Sequence, residues 1–156
     1  MLKIHLVAVG RVKENYFKEG IAEYAKRLSR YADFKITEVR EENFSKEGEA
    51  ERKLAKKREA ERIVPELKGF IVCLSAEGKK FSSEAFSRKI EEIKSAAGEV
   101  TFVIGGSYGI DESVKRRANL LMSFSDMTFP HTLMRLIFTE QLYRAFTIAE
   151  GTGYHK

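Results

Sequence analysis

Two uninterrupted apolar runs, "FIVCLS" at 70–75 and "VTFVIGG" at 100–106, constrain this chain more than any other feature. A strand wetted on one side alternates apolar and polar residues. A run with no polar face must be covered on both, as central strands of a parallel sheet are. Between the runs, Ser82 or Ser83 can cap a helix whose Phe86, Ile90, Ile93 and Ala97 form one stripe and which Gly98 ends. Residues 70–106 therefore predict a βαβ unit.

The same alternation of element types extends in both directions. "KIHLVAV" reads as a first strand, and residues 14–31 follow as an amphipathic helix with Phe17, Ile21, Tyr24, Leu28 and Tyr31 at helical spacing. "FKITEV" (34–39) reads as a second strand. After the two central runs, Asp111 starts a short helix and "NLLMSFS" (119–125) makes a fifth strand. Pro130 then sits where a first helical turn accepts it, opening a long helix that runs to Gly151. The pattern predicts an α/β fold, a mostly parallel sheet flanked by helices, in one domain spanning 1–156.

Residues 46–68 are densely charged, with a sparse apolar stripe expected at Ala50, Leu54, Ile63 and Leu67. A solvated helix face and an RNA-facing basic surface are both compatible with such a segment. The formal charge of the 156-residue chain is +5, which favours a polyanionic partner. No run of eighteen apolar residues is present, and the apolar run at the amino terminus is too short for a signal peptide, so a cytoplasmic protein without membrane association is expected. The single cysteine, Cys73, lies inside an apolar run and reads as a buried thiol. The only histidines, His5, His131 and His155, lack metal-ligand spacing, and no metal site is expected.

Three loops follow buried strands: "LSAEGKK", "GGSYG" and "SDMTFPH". Ligands of open parallel sheets bind beyond the carboxyl ends of the strands, so these loops should meet at one cleft. Gly105, Gly106 and Gly109 allow close approach of backbone to a ligand, while Ser125, Asp126 and Thr128 offer short polar groups. The glycines lack the spacing of a dinucleotide fingerprint. The last helix is apolar around more than one face and should be buried on two sides, by the chain's own loops or by a second subunit. His131 and Arg135 share one of its faces, and Glu140 can pair with Arg144. No P-loop, nucleophile elbow or H-E-x-x-H motif occurs. Their absence favours a reaction whose difficult electronics reside in a cofactor.

"FVIGGSYGI" and "SFSDMTFPHTLMRLIFTEQLYRAFTIAEGTGYHK", together with "KIHLVAVGRVKENY" and "GKKFSSEAF", closely resemble the ribosomal RNA large-subunit methyltransferase H family, a small branch of the SPOUT class. The resemblance covers essentially the whole chain. It implies an S-adenosylmethionine-dependent homodimer, threaded as a trefoil knot in its carboxyl-terminal part, that methylates N3 of a pseudouridine in 23S ribosomal RNA of the ribosome. By position it implies a cofactor pocket of Leu74, Gly105, Gly106, Ser125, Asp126, Met127, Thr128, Phe129 and Pro130. It places the catalytic, substrate-side residues at His131, Arg144, Tyr154, His155 and Lys156. Many members carry an acid where this chain has Ser75, so a ribose contact by that acid has no counterpart here. Gly151 and Gly153 are expected to lead the last three residues away from their own helix and into the site of the other subunit. The rival reading is a basic RNA-binding module without cofactor or chemistry.

Overall fold

The structure, a computed structural model, describes all residues from 1 to 156. Its elements are β1 (Leu2–Val9), α1 (Asn15–Leu28), β2 (Ala32–Val39), α2 (Glu49–Ile63), β3 (Phe70–Lys80), α3 (Ser83–Ala96), β4 (Glu99–Ile104), α4 (Glu112–Lys115), β5 (Leu120–Ser123) and α5 (His131–Glu150). A single 3-10 turn, Val64–Glu66, follows α2. The five strands form one sheet in the order β2-β1-β4-β3-β5, and every pairing is parallel.

The apolar runs are central because each strand residue has a covered face to enter. Val72, Val100, Phe102 and Met122 point toward α1, α3 and α5, joining Phe86, Ile90, Phe138, Leu142 and Phe146 in the larger core. Their neighbours Cys73 and Val103 point the other way, against Ala60 and Ile63 of α2 and Val114 of α4. The thiol of Cys73 is fully buried, and burial pushes its pKa up to about 11, so it packs and does not attack.

Local signals set the helix ends. The Ser82 hydroxyl accepts the Ala85 N–H at the start of α3, and the Asp111 carboxylate accepts the Ser113 N–H at the start of α4. Pro130 stands one residue before α5 rather than in its first turn, and Gly151 ends that helix with φ of 67°. No helix is long and apolar enough to cross a membrane.

Two expectations need correction here. The inward stripe of α2 is Ala55, Glu59, Ala60 and Ile63, whereas Ala50 and Leu54 face solvent. The helix begins only at Glu49, so Ala50 sits in its exposed first turn. β3 runs on to Lys80 instead of stopping at Ser75. Leu74 and Lys79 both align with Met122, so residues 75–78 bulge out while both limbs of β3 hold β5. Gly78 lies against the backbone there: a Cβ would sit 2.5 Å from the Leu121 carbonyl carbon.

Candidate active site

The loops after β4 and β5 converge as expected, whereas the third segment, 74–76, belongs to β3 itself, at the start of its bulge, rather than to a loop after it. They enclose a cavity of about 780 Å³ lined by Leu74, Gly105, Gly106, Ser125, Met127, Thr128, Phe129, Pro130 and His131 among others. Its floor is backbone. Gly106 accepts the Gly109 N–H at 3.1 Å, and the two residues form an isolated antiparallel bridge, closing a tight turn directly after β4. Gly109 needs its φ of 89° for that turn. A Cβ on Gly105 would lie 2.8 Å from the carbonyl carbon and oxygen of Gly109, so the turn closes only over a hydrogen.

Ile104, Ile110, Met122, Phe124 and Met134 add apolar wall to the predicted set. The Ser125 hydroxyl accepts the Met127 N–H at 3.0 Å and shapes the loop before α5. Met127 itself is 74% exposed, an apolar side chain held at the mouth. Lys115 also reaches the cavity wall, tied to Glu77 at 2.8 Å. Its signal was its place one turn after Asp111, beside the cleft loops. Asp126, expected among the cofactor residues, does not line the cavity. It is exposed and pairs with Lys80, clipping the end of β3 to the loop after β5.

Of the five expected catalytic residues, only His131 lies on the cavity wall. Its Nε2 is 3.4 Å from the Glu41 carboxylate, and its Nδ1 is buried without a partner. The other four gather elsewhere, and the tail does not leave its own helix. With Gly151 and Gly153 both at positive φ, the chain reverses and lies back along α5. The Tyr154 hydroxyl donates to Glu140 at 2.8 Å, and its ring meets Tyr143 edge-on at 4.8 Å between centroids. The Arg144 guanidinium covers the Tyr154 ring, pairs with Glu140 at 2.7 Å and donates to His155 Nδ1 at 3.0 Å. That donation leaves the ring proton on Nε2, which faces Glu84 at 2.7 Å. Lys156 at the end is exposed. Burial and the Glu140 carboxylate drive the Tyr154 pKa upward, so the phenol stays protonated. Glu140 holds Arg144 charged, and the His155 bond lowers the Glu84 pKa.

A backbone-floored, apolar-walled cleft at the carboxyl ends of an all-parallel sheet defines an α/β enzyme that takes a nucleotide-sized ligand. Residues 2–155 match the family described as "Predicted SPOUT methyltransferase". The chain belongs to that family and is a methyltransferase. It is similar to the ribosomal RNA large subunit methyltransferase H of Streptococcus suis, at 47% identity over 99% of this chain and 100% of the relative. The protein of the same name from Streptococcus pyogenes serotype M49 is 46% identical over the same shares. A solved structure, that of a probable methylase family protein from Haemophilus influenzae, shares the fold with a TM-score of 0.57 at 13% identity, covering 100% of this chain and 72% of that one.

Proposed function

We propose that this chain transfers the methyl group of S-adenosylmethionine to N3 of a pseudouridine in 23S ribosomal RNA, acting in the cytoplasm as a homodimer. The observation that carries the reading is the convergence of β3 residues 74–76 and the loops 105–110 and 124–130 on one cleft in a chain related end to end to ribosomal RNA methyltransferases. The cleft fits the cofactor chemically: side-chain-free backbone at Gly105 and Gly106 for close approach, and Leu74, Phe129 and Met127 for its apolar parts.

S-adenosylmethionine supplies a methyl group already activated by a positively charged sulfur. The protein's share is to orient the target nitrogen, to exclude water and to take up a proton. Leu74, Gly105, Gly106, Ser125 and the segment 127–130 would hold the donor. His131, on the cleft wall, is placed to hold the N3 proton at the Nε2 it shares with Glu41.

The dimer is supported by α5. Its buried side is covered by the sheet and by α1 and α3, yet Leu133, Leu136 and Ile137 remain only half-buried, and Tyr16 on α1 is 68% exposed. The tail joins the site of the other subunit in this reading, since it lines no part of the cleft in its own chain. The knotted threading that the resemblance implies belongs to the same proposal.

The test is mass spectrometry of ribosomal RNA from cells lacking this protein. A pseudouridine that has lost its N3 methyl group is the expected result. An unchanged methylation pattern overturns the reading.

A further inference from the structure

A second cavity of about 680 Å³ opens beyond the carboxyl ends of β1 and β2. It shares His131 and Thr132 with the cofactor cleft, so the two cavities meet across the start of α5. Its character differs: Val39 is the one apolar residue on a wall otherwise built of polar and charged groups and glycine. Its volume falls within the ~300–1,000 Å³ of small-ligand sites.

The charges here are arranged by depth. Arg11, Lys13 and Arg40 stand exposed around the cavity, and none of them takes part in an ion pair. Two of the three acids are already matched, Glu38 by Arg135 and Glu41 by His131. Arg135 is 2% exposed and also donates to the Gly10 carbonyl at 3.2 Å, so this floor is rigid. A visitor therefore meets three free cations outside and a polar floor within.

That floor has unused bonding capacity. The protein has four buried side-chain polar atoms without a hydrogen-bond partner, and two of them belong to residues that line this cavity: Glu14 Oε2 and His131 Nδ1. An unsatisfied buried polar atom costs about 1–3 kcal/mol, so two in one place mark a surface built to meet another polar group.

We propose that this second cavity receives the target nucleotide, with Arg11, Lys13 and Arg40 holding its phosphates and Glu14 accepting a ring N–H of the base. The inference rests on the reading given under Proposed function. The chemistry fits an RNA base turned out of its stem, a neighbouring phosphate on each side and a planar edge of alternating donors and acceptors in between. Glu14 gives the site discrimination. Pseudouridine has a second ring N–H where uridine has a C–H, and a buried carboxylate left facing C–H loses its bond. The target nitrogen then reaches the methyl donor past His131 and Thr132.

The experiment compares wild type, Glu14→Gln and the double variant Arg11→Gln/Arg40→Gln on ribosomes lacking the methyl group, with pseudouridine or uridine at the target position. Melting curves and calorimetric S-adenosylmethionine affinity accompany the kinetics. Both variants should keep the wild-type melting temperature and bind S-adenosylmethionine within about twofold of wild type, because neither touches that cleft. The arginine variant should raise KM for ribosomes about tenfold or more and flatten the salt dependence of binding by about one unit per cation removed. Glu14→Gln should lower kcat/KM on pseudouridine ribosomes far more than on uridine ribosomes. Variants with wild-type kinetics overturn the nucleotide site, as does an equal loss of S-adenosylmethionine affinity, which would assign the cavity to the cofactor. A wild-type enzyme that methylates no ribosomal RNA overturns the underlying reading and this inference with it.

Discussion

At Gly105 and Gly106 a single hydrogen atom decides what the loop after β4 can do. Gly105→Ala places a methyl group 2.8 Å from the Gly109 carbonyl, so the turn must open, and S-adenosylmethionine affinity should fall at least about tenfold, or ~1.4 kcal/mol. Calorimetry showing wild-type affinity would refute that. Gly106 differs in a way its sequence context does not reveal. A side chain there is expected from "IGGSYG" to enter ligand space, yet its Cβ points away from the cleft, 3.0 Å from Val9 and 3.5 Å from the Glu59 carboxylate. Gly106→Val should therefore lower the melting temperature as well as the affinity, by about the 1–3 kcal/mol of an overpacked core. Normal stability with lost binding would restore the ligand-space account. Glu59 was illegible for a related reason: it reads as one more charge in a charged helix, but it is 2% exposed and accepts the Glu42 N–H at 3.0 Å. Burial raises its pKa above the ordinary carboxylate value, so the folded state binds the proton more tightly than the unfolded chain. Ionisation of Glu59 therefore costs stability at high pH, and the cost fades as pH falls toward the unfolded value. The melting temperature of Glu59→Gln minus that of wild type should grow from pH 5 to pH 8. Parallel curves would remove Glu59 as the cause.

The elements were legible where a period or an apolar run carried them. The covered strands at 70 and 100, the stripe of α3 and the glycine after α5 all follow from local rules that tertiary packing reinforces. Two things had no local signal. The extension of β3 beyond Ser75 is made by pairing with β5, which comes more than forty residues later. The return of the tail depends on Glu140, Tyr143 and Arg144 offering a hydroxyl acceptor, a ring edge and a cation on one side of α5. The cleft loops after β4 and β5 were readable as loops after strands, but the second cavity was not, since its walls come from segments scattered between Gly10 and Thr132. Deleting residues 154–156 removes the packing of Tyr154 on Tyr143 and the bonds to Glu140, Arg144 and Glu84, so the melting temperature should fall, yet S-adenosylmethionine binding should stay within about twofold because the tail lines no part of the cleft. Methyl transfer should be abolished. A truncated enzyme that methylates ribosomes at the normal rate would leave the tail without a catalytic role. For α5 itself, sedimentation of the wild type should show a dimer at micromolar concentration, and an active monomer would assign the half-buried side of α5 to solvent.

On the scale of the whole molecule, the cleft and the tail occupy different parts of the chain, and the proposed dimer would complete each cleft with the partner's tail. Mixing the tail deletion with Gly105→Ala tests this directly. Random pairing gives half heterodimers with one whole site of two, and the mixture should recover about a quarter of wild-type activity in a two-fold symmetric dimer. Recovery of none would place tail and cleft in the same chain's site. The position of β5 and α5 carries a separate consequence. Both come from the last third of the sequence, yet β5 lies against β3, and Phe138, Leu142 and Phe146 close the larger core over strands made much earlier. During its own synthesis the chain has no finished interior until these residues emerge from the exit tunnel. The cleft between β3, β4 and β5 is therefore a late feature of folding, formed only once the last helix has left the tunnel and folded back on the earlier strands.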